Sequence, residues 1–185
     1  MNILWSFSPF IVFALLTRAV PVTAALFVAA ALALALVLRE RFLLHRSFKI
    51  LEIGTALLFG GLGVFMLATD GAWSIVEVRL AVDFGLFLVV AFSMLVRQPF
   101  TLQYARESVP PEVAARPQFR TINYVLSAVW GLAFLVMTAA DLVMARMPSV
   151  PLAVGVVVTV AALVGAVWFT SWYPERMRQR FARGQ

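Results

Sequence analysis

An arginine and an aspartate stand four residues apart in an apolar segment that runs from Ser74 to Val96. Residues four apart lie on one face of a helix, so the side chains of Arg79 and Asp83 can meet. At ~1.5 Å per residue, Asp83 lies roughly 13 Å from Ser74, close to the middle of a membrane. Charges at that depth are costly unless they are paired or hydrated. Two interpretations follow: Asp83 is a proton or cation site with Arg79 as its charge partner, or the two form a structural pair in a helix that starts later than Ser74.

The apolar segment at residues 122–144 carries two more polar residues, Asn123 and Asp141. Asn123 shares a helix face with Ser127 and Trp130, an arrangement typical of hydrogen bonds between membrane helices. Asp141 is near the end of the segment, where we expect its side chain to reach water. If Asn123, Asp141 and the pair described above lined one aqueous cavity, the four would form the intramembrane polar site of a small transporter or channel.

Other residues that could act in catalysis or metal binding are isolated in the sequence. His45 is the only histidine and lies in a basic connection between Arg41 and Arg46, whereas a metal site needs several converging donors. The chain has no cysteine, which excludes disulfides and thiolate ligands. The glycine run from Phe59 to Gly63 has no lysine after it and sits in an apolar segment, so it indicates close helix packing rather than a phosphate loop. The sequence therefore predicts no catalytic, cofactor-binding or metal-binding residues, and a protein that is not an enzyme.

The composition is that of a membrane protein. Of 185 residues 63% are hydrophobic, and the mean hydropathy is +0.95. A membrane span needs about 20 mostly apolar residues. We predict an all-α polytopic transmembrane helical bundle that forms one domain over residues 1–185. It has five spans plus a short first apolar helix containing Pro9, which either crosses as a tilted span or enters and returns. The six segments cover approximately residues 3–17, 20–38, 50–69, 74–96, 122–144 and 150–173.

Basic residues are strongly biased to one side of these segments. Twelve of the 15 lysine and arginine residues lie in two alternate connections and the tail: Arg39, Arg41, Arg46 and Lys49, then Arg97, Arg106, Arg116 and Arg120, then Arg176, Arg178, Arg180 and Arg183. By the positive-inside rule these regions are cytoplasmic, as expected for a multi-pass protein of a bacterial inner membrane. Lys49 and Glu52 are expected to form an interfacial pair.

The basic tail, residues 174–185, indicates a lipid partner. Its four arginines are expected to anchor it to anionic lipids of the cytoplasmic leaflet, as a helix that continues the last span. Met177 and Phe181 would then face lipid. Arginines beside a membrane span usually serve topology, so we do not expect a nucleic-acid partner.

Two further features concern packing. The connection from Arg97 to Arg120 contains four prolines, which block one continuous helix. Its part from Phe100 to Glu107 is expected to form about two helical turns on the membrane surface, with Phe100 and Tyr104 as the apolar face.

Small residues also recur four apart, which favours either close packing inside the bundle or a homodimer seam. These pairs are Ala56 and Gly60, Ser127 and Gly131, and Ala161 and Gly165.

Several short motifs follow one another along the whole chain in a recognisable order. They are Phe7–Phe13, rich in Phe and containing Pro9; Thr23–Leu26; Leu58–Leu62 with an aspartate loop at Asp70; and Asn123, Trp130 and Phe134. In these motifs the chain resembles the bacterial intracellular septation protein A family of inner-membrane proteins.

The resemblance implies a non-enzymatic role in cell-envelope maintenance, septation and cell division, through contacts with other inner-membrane proteins or with a second copy. The chain departs from the family pattern in two places. The entry to the fourth segment, Ser74–Arg79, carries an acid as well as a base, and the connection Gln98–Arg106 differs from the family's usual sequence. These departures bear on shared partners more than on a shared fold.

Overall fold

The computed structural model describes residues 6–44, 47–147 and 149–183, except for the side chains after Arg180. Within these ranges every regular element is helical and no strand occurs, which confirms the predicted all-α class. In chain order the helices are α1 (Ser8–Leu16), α2 (Val22–Leu38, continued by a π-helical turn, Arg39–Leu43), α3 (Ile50–Ala68), α4 (Ile75–Leu95), α5 (Phe100–Ala105, continued by a 3-10 turn, Arg106–Ser108), α6 (Pro111–Ala114), α7 (Pro117–Arg146) and α8 (Leu152–Arg183).

Four helices in the described part of the chain are long and apolar enough to cross a membrane: Val22–Leu43, Ile50–Ala68, Pro117–Arg146 and Leu152–Arg180. They correspond to four of the five predicted spans. The remaining one, α4, is 21 residues long and is not among the four. α1 has nine residues, or ~14 Å of helix, which is about half of a ~30 Å hydrocarbon core.

The start of α4 is fixed by a capping box. Oγ of Ser74 accepts the main-chain N–H of Glu77 (3.3 Å), and Oε2 of Glu77 accepts the main-chain N–H of Ser74 (2.7 Å). The helix begins at Ile75 and therefore does not start late. The interpretation of Arg79 and Asp83 that relied on a later start is not supported by this boundary.

A hydrogen-bonded turn at the other end of α4 reverses the chain direction and leads into α5. Arg97 adopts a left-handed conformation (φ 59°), and the N–H of Gln98 donates to the carbonyl of Ser93 (2.9 Å), as in a Schellman motif. The Ser93 hydroxyl also accepts the N–H of Phe100 (3.1 Å). Arg120 donates to the carbonyl of Arg97 (3.0 Å), which ties the start of α7 to this turn.

The long helices pack in the order α2, α3, α4, α7, α8, with α1 against α2 and α5 against α7. One apolar core fills the space between α3, α4, α5 and α7 around Trp130, whose ring stacks on Phe7 at 4.5 Å between centroids. A second core lies between α1, α2, α3 and α4 around Phe59, which contacts Phe10 and Phe13. α8 packs chiefly against α7, so most of its surface faces outward.

The short helix α5 differs from its predicted environment. A helix does form at Phe100, but Phe100 and Tyr104 are buried in the protein rather than directed toward lipid. The expectation that they form a lipid-facing surface is wrong, because α5 packs across α7 and completes the core around Trp130. The connection is thus a structural part of the bundle.

The glycines of the three small-residue pairs have different environments. A methyl group at Gly60 would lie 4.0 Å from Cβ of Ala30, and one at Gly131 would lie 3.4 Å from Cγ1 of Val90, so both glycines serve packing inside the bundle. A methyl group at Gly165 would meet no described atom within 4 Å. The pair on α8 therefore faces outward.

The contact between α3 and α4 depends on Gly54. An added methyl group there would lie 2.6 and 2.7 Å from the two Cγ atoms of Val89, whose β-branched side chain has little freedom to move. We expect Gly54→Ala to lower the free energy of unfolding by roughly 1–3 kcal/mol, measured by denaturation of the purified protein in detergent. Gly61→Ala is the matched control, because that site is open and alanine favours a helix by up to about 1 kcal/mol. Equal stability of the two variants would contradict this helix contact.

Candidate functional site

One lysine is buried among three glutamates where α2, α3 and the α4–α7 connection meet. Lys49, 1% exposed, donates from Nζ to Oε2 of Glu40 at 2.8 Å. The same Nζ lies 3.3 Å from Oε2 of Glu107 and 4.0 Å from Oε1 of Glu52. It also lies 4.8 Å from the ring centroid of Tyr104, a cation–π contact. We call Glu40, Lys49, Glu52, Tyr104 and Glu107 the lysine cluster.

Hydrogen bonds connect the lysine cluster to the residues before α1 and to α5. Glu52 accepts from the Ser6 hydroxyl (3.0 Å) and from the Tyr104 phenol (3.2 Å) through Oε1. Burial, with the nearby charge of Glu52, raises the pKa of Tyr104, so the phenol stays protonated and donates. Gln103 accepts the main-chain N–H of Ile50 (2.9 Å) and so caps the start of α3. The predicted pair of Lys49 and Glu52 is present, and both side chains are buried in the protein.

A second charged group lies between α4, α7 and α8. The Arg79 guanidinium on α4 forms an ion pair with Oδ1 of Asp141 on α7 (3.1 Å) and donates to the hydroxyl of Thr159 on α8 (3.3 Å). Asp83 lies one turn beyond Arg79, and its carboxyl is within hydrogen-bonding reach of Asp141. We call Arg79, Asp83 and Asp141 the arginine triad. The expectation that Asp141 reaches water is wrong, since it is 1% exposed and paired with Arg79.

Helix α8 contributes a glycine as well as the Thr159 hydroxyl to the surroundings of the arginine triad. A methyl group at Gly155 on α8 would overlap Cε of Met144 and would lie 3.7 Å from Nη2 of Arg79. The missing side chain lets α7 and α8 approach closely beside the guanidinium.

Asn123 is separate from the arginine triad. It lies 18 residues before Asp141 on the same helix, or ~27 Å along its axis. Its main-chain carbonyl accepts from the Thr101 hydroxyl (2.7 Å), and the Thr101 hydroxyl also contacts the Ser127 hydroxyl (2.9 Å). Of the four polar residues considered for one cavity, the structure brings together Arg79, Asp83 and Asp141, while Asn123 helps to fasten α5 to α7.

The basic tail is the continuation of α8. The helix runs without interruption through Pro174 to Arg183, as predicted for residues 174–183. Arg176 lies over the ring of Trp172 (5.4 Å to the centroid), and Arg178 and Arg180 are exposed. The side chains of Phe181 and Arg183 fall outside the described residues, so the expected lipid contact of Phe181 is not described.

A groove of about 210 Å³ lies between the first turns of α7 and the end of α8. Its lining residues are Pro117, Gln118, Thr121, Ile122, Tyr173 and Met177. None of them belongs to the arginine triad or the lysine cluster. Among the described side chains no group of three or more His, Cys, Asp or Glu is arranged to hold a metal ion, and His45 lies outside the described residues.

Comparisons with protein-family models, with curated proteins and with solved structures find no match to this chain. The two charged clusters are therefore interpreted from their own geometry. Sequence reasoning singled out the members of the arginine triad but missed the partnership of Lys49 with Glu40 and Glu107. The available signal was a set of opposite charges at the ends of two apolar segments and in the connection Arg97–Arg120.

The lysine cluster leads to a stability prediction. Removing the ammonium in Lys49→Met leaves Glu40 and Glu52 buried beside an apolar side chain. Removal of one partner of a buried ionic group typically costs ~3–5 kcal/mol, and we expect a loss of that size in detergent unfolding measurements. Adding Glu52→Gln should restore part of the loss, because one uncompensated carboxylate is then gone. Arg178→Met, a change at an exposed tail position, is the control. A Lys49→Met protein as stable as this control would refute the structural role of the cluster.

Proposed function

We propose that this chain is a non-enzymatic integral protein of the bacterial inner membrane that acts in cell-envelope maintenance and septation through contacts with other membrane proteins or with itself. The observation that supports it is that buried charged residues at both ends of the bundle have partners on neighbouring elements. Lys49 is enclosed by glutamates, Arg79 binds Asp141 and Thr159, and these contacts hold a packed bundle. The resemblance to the septation protein A family supports the envelope role.

The proposed topology places five long helices across the membrane, with α4 as the fifth. α4 contains 21 residues, ~32 Å of helix, and its intramembrane charges at Arg79 and Asp83 lie in the arginine triad. α1 begins near Glu52, since Ser6 donates to that residue, and it leads to the start of α2. The lysine cluster end, the connection Arg97–Arg120 and both termini are then cytoplasmic.

The proposed lipid partner is the anionic cytoplasmic leaflet. The exposed arginines of α8 follow the last apolar turns directly, where each basic group near an anionic surface contributes about 1 kcal/mol of attraction. The stacked indoles of Trp168 and Trp172, 5.4 Å apart, precede them, as expected for an interfacial aromatic belt.

A small transporter or channel is the second candidate function. One observation favours it: Asp83 and Asp141 are nearly inaccessible carboxyl groups on facing helices, held within hydrogen-bonding reach of each other. Buried acids in this setting are typical of proton and cation pathways. Asn123 does not join them, so the site is smaller than the sequence suggested.

The topology can be tested directly because the chain has no native cysteine. In intact cells, single cysteines that replace the exposed Ser108 and Arg178 should react only with membrane-permeant thiol reagents. A cysteine replacing exposed Asp70 should also react with impermeant ones. Labelling of residue 178 by an impermeant reagent in intact cells would overturn the cytoplasmic assignment of the tail.

Complementation distinguishes the two candidate functions. A strain lacking the gene should show altered cell length and greater sensitivity to cell-wall stress if the envelope proposal is right. Asp83→Asn preserves side-chain shape and the ion pair of Arg79 with Asp141, so it should restore normal cells if contacts are the function. A transporter that uses Asp83 should instead lose activity in this variant at normal membrane abundance. A deletion strain indistinguishable from wild type under wall stress contradicts the envelope role.

A further inference from the structure

We propose that the arginine triad is a binding site for one exchangeable proton, held between the carboxyl groups of Asp83 and Asp141. The proposal names a ligand for the site of the second candidate function. It does not require transport, because a proton can be bound and exchanged by a protein whose function is contact alone.

The charge count of the triad requires this proton. Arg79 is a permanent cation, whereas Asp83 and Asp141 supply two carboxyl groups. With both carboxyls ionised the buried group would carry a net charge of −1 in a low-dielectric environment, which is strongly unfavourable. One bound proton makes the group neutral.

Other charges at this end of the bundle are directed into solvent and cannot balance the triad. They lie in the α1–α2 and α3–α4 connections, in the first turn of α4 and at the end of α7: Arg18, Asp70, Glu77 and Arg146, all exposed. Their interactions with a buried carboxylate are screened by water. The neutrality of the site is therefore decided by the three residues themselves.

Hydrogen-bond geometry indicates where the proton lies. Arg79 is engaged by Oδ1 of Asp141 and by Thr159. The buried Oδ2 of Asp141 has no hydrogen-bond partner among the described side chains and main-chain groups. The carboxyl of Asp83 is within reach of Asp141, so a proton on Asp83 supplies a donor to that carboxylate. The side chain of Arg79 is 23% exposed, so the triad is open to the surface of the bundle on one side.

Infrared spectroscopy of the full-length protein in lipid nanodiscs tests the proton directly. At neutral pH the wild-type protein should show the C=O stretching band of a protonated carboxylic acid, and the band should shift when H₂O is replaced by D₂O. Asp83→Asn and Asp141→Asn should each remove one component of this band, seen in the difference spectrum between wild type and variant, because a single carboxylate then remains to balance Arg79. The two variants examine the pair from different helices, so the test survives if one of them fails to fold.

The control is Glu77→Gln, an exposed acid in the first turn of α4, which should leave the band unchanged. The absence of such a component from the difference spectra of both aspartate variants, or a component that does not shift in D₂O, overturns the proposal. A band that disappears when sodium replaces potassium in the buffer also overturns it, since the pair would then bind Na⁺. The infrared results do not depend on complementation, so the proton site can be refuted without refuting the proposed function, and the reverse.

Discussion

A charge buried among apolar helices must be neutralised by the protein itself, and this constraint organises the bundle. α4 carries Arg79 and Asp83 within its first three turns, and burying either charge without a partner would cost several kcal/mol. The solution is to place α4 against α7 and α8, which supply Asp141 and Thr159. The position of α4 beside these two helices follows from a requirement of electrostatics as much as from packing.

Two charged clusters fix the bundle from opposite ends. The lysine cluster joins the end of α2, the start of α3 and the connection after α4, whereas the arginine triad joins the other ends of α4, α7 and α8. Between them the apolar cores supply close packing but do little to fix the axial position of each helix, since lipid chains are as apolar as leucine. A helix that slid by one turn, ~5.4 Å, would break the ion pairs. The clusters therefore set the axial register of the helices.

Much of this arrangement could be predicted from residue pattern, and the remainder could not for physical reasons. Apolar length predicted the ends of α2, α3 and α4 to within two residues, whereas α7 begins five residues before the predicted segment. α4 is not among the four helices that are long and apolar enough to cross a membrane. The distribution of arginines indicates orientation. The i,i+4 spacing placed Arg79 and Asp83 on one face. It could not show that Arg79 binds Asp141, which is 62 residues away, since such a pairing depends on helix neighbours. For the same reason α5 was expected on lipid, whereas it packs into the protein.

The length of α8 has a mechanical consequence. Its 32 residues extend ~48 Å, so roughly 18 Å project beyond a ~30 Å hydrocarbon core. Pro174 has no N–H to donate to the carbonyl of Thr170, so the helix lacks one main-chain hydrogen bond just before the arginines. The hydroxyl of Thr170 is meanwhile held by Nε1 of Trp130 at 3.0 Å. The helix is thus clamped to α7 on one side of this joint and weakened at the joint itself, so the arginine-bearing arm can keep its angle to the bilayer surface when the span tilts in a membrane of different thickness.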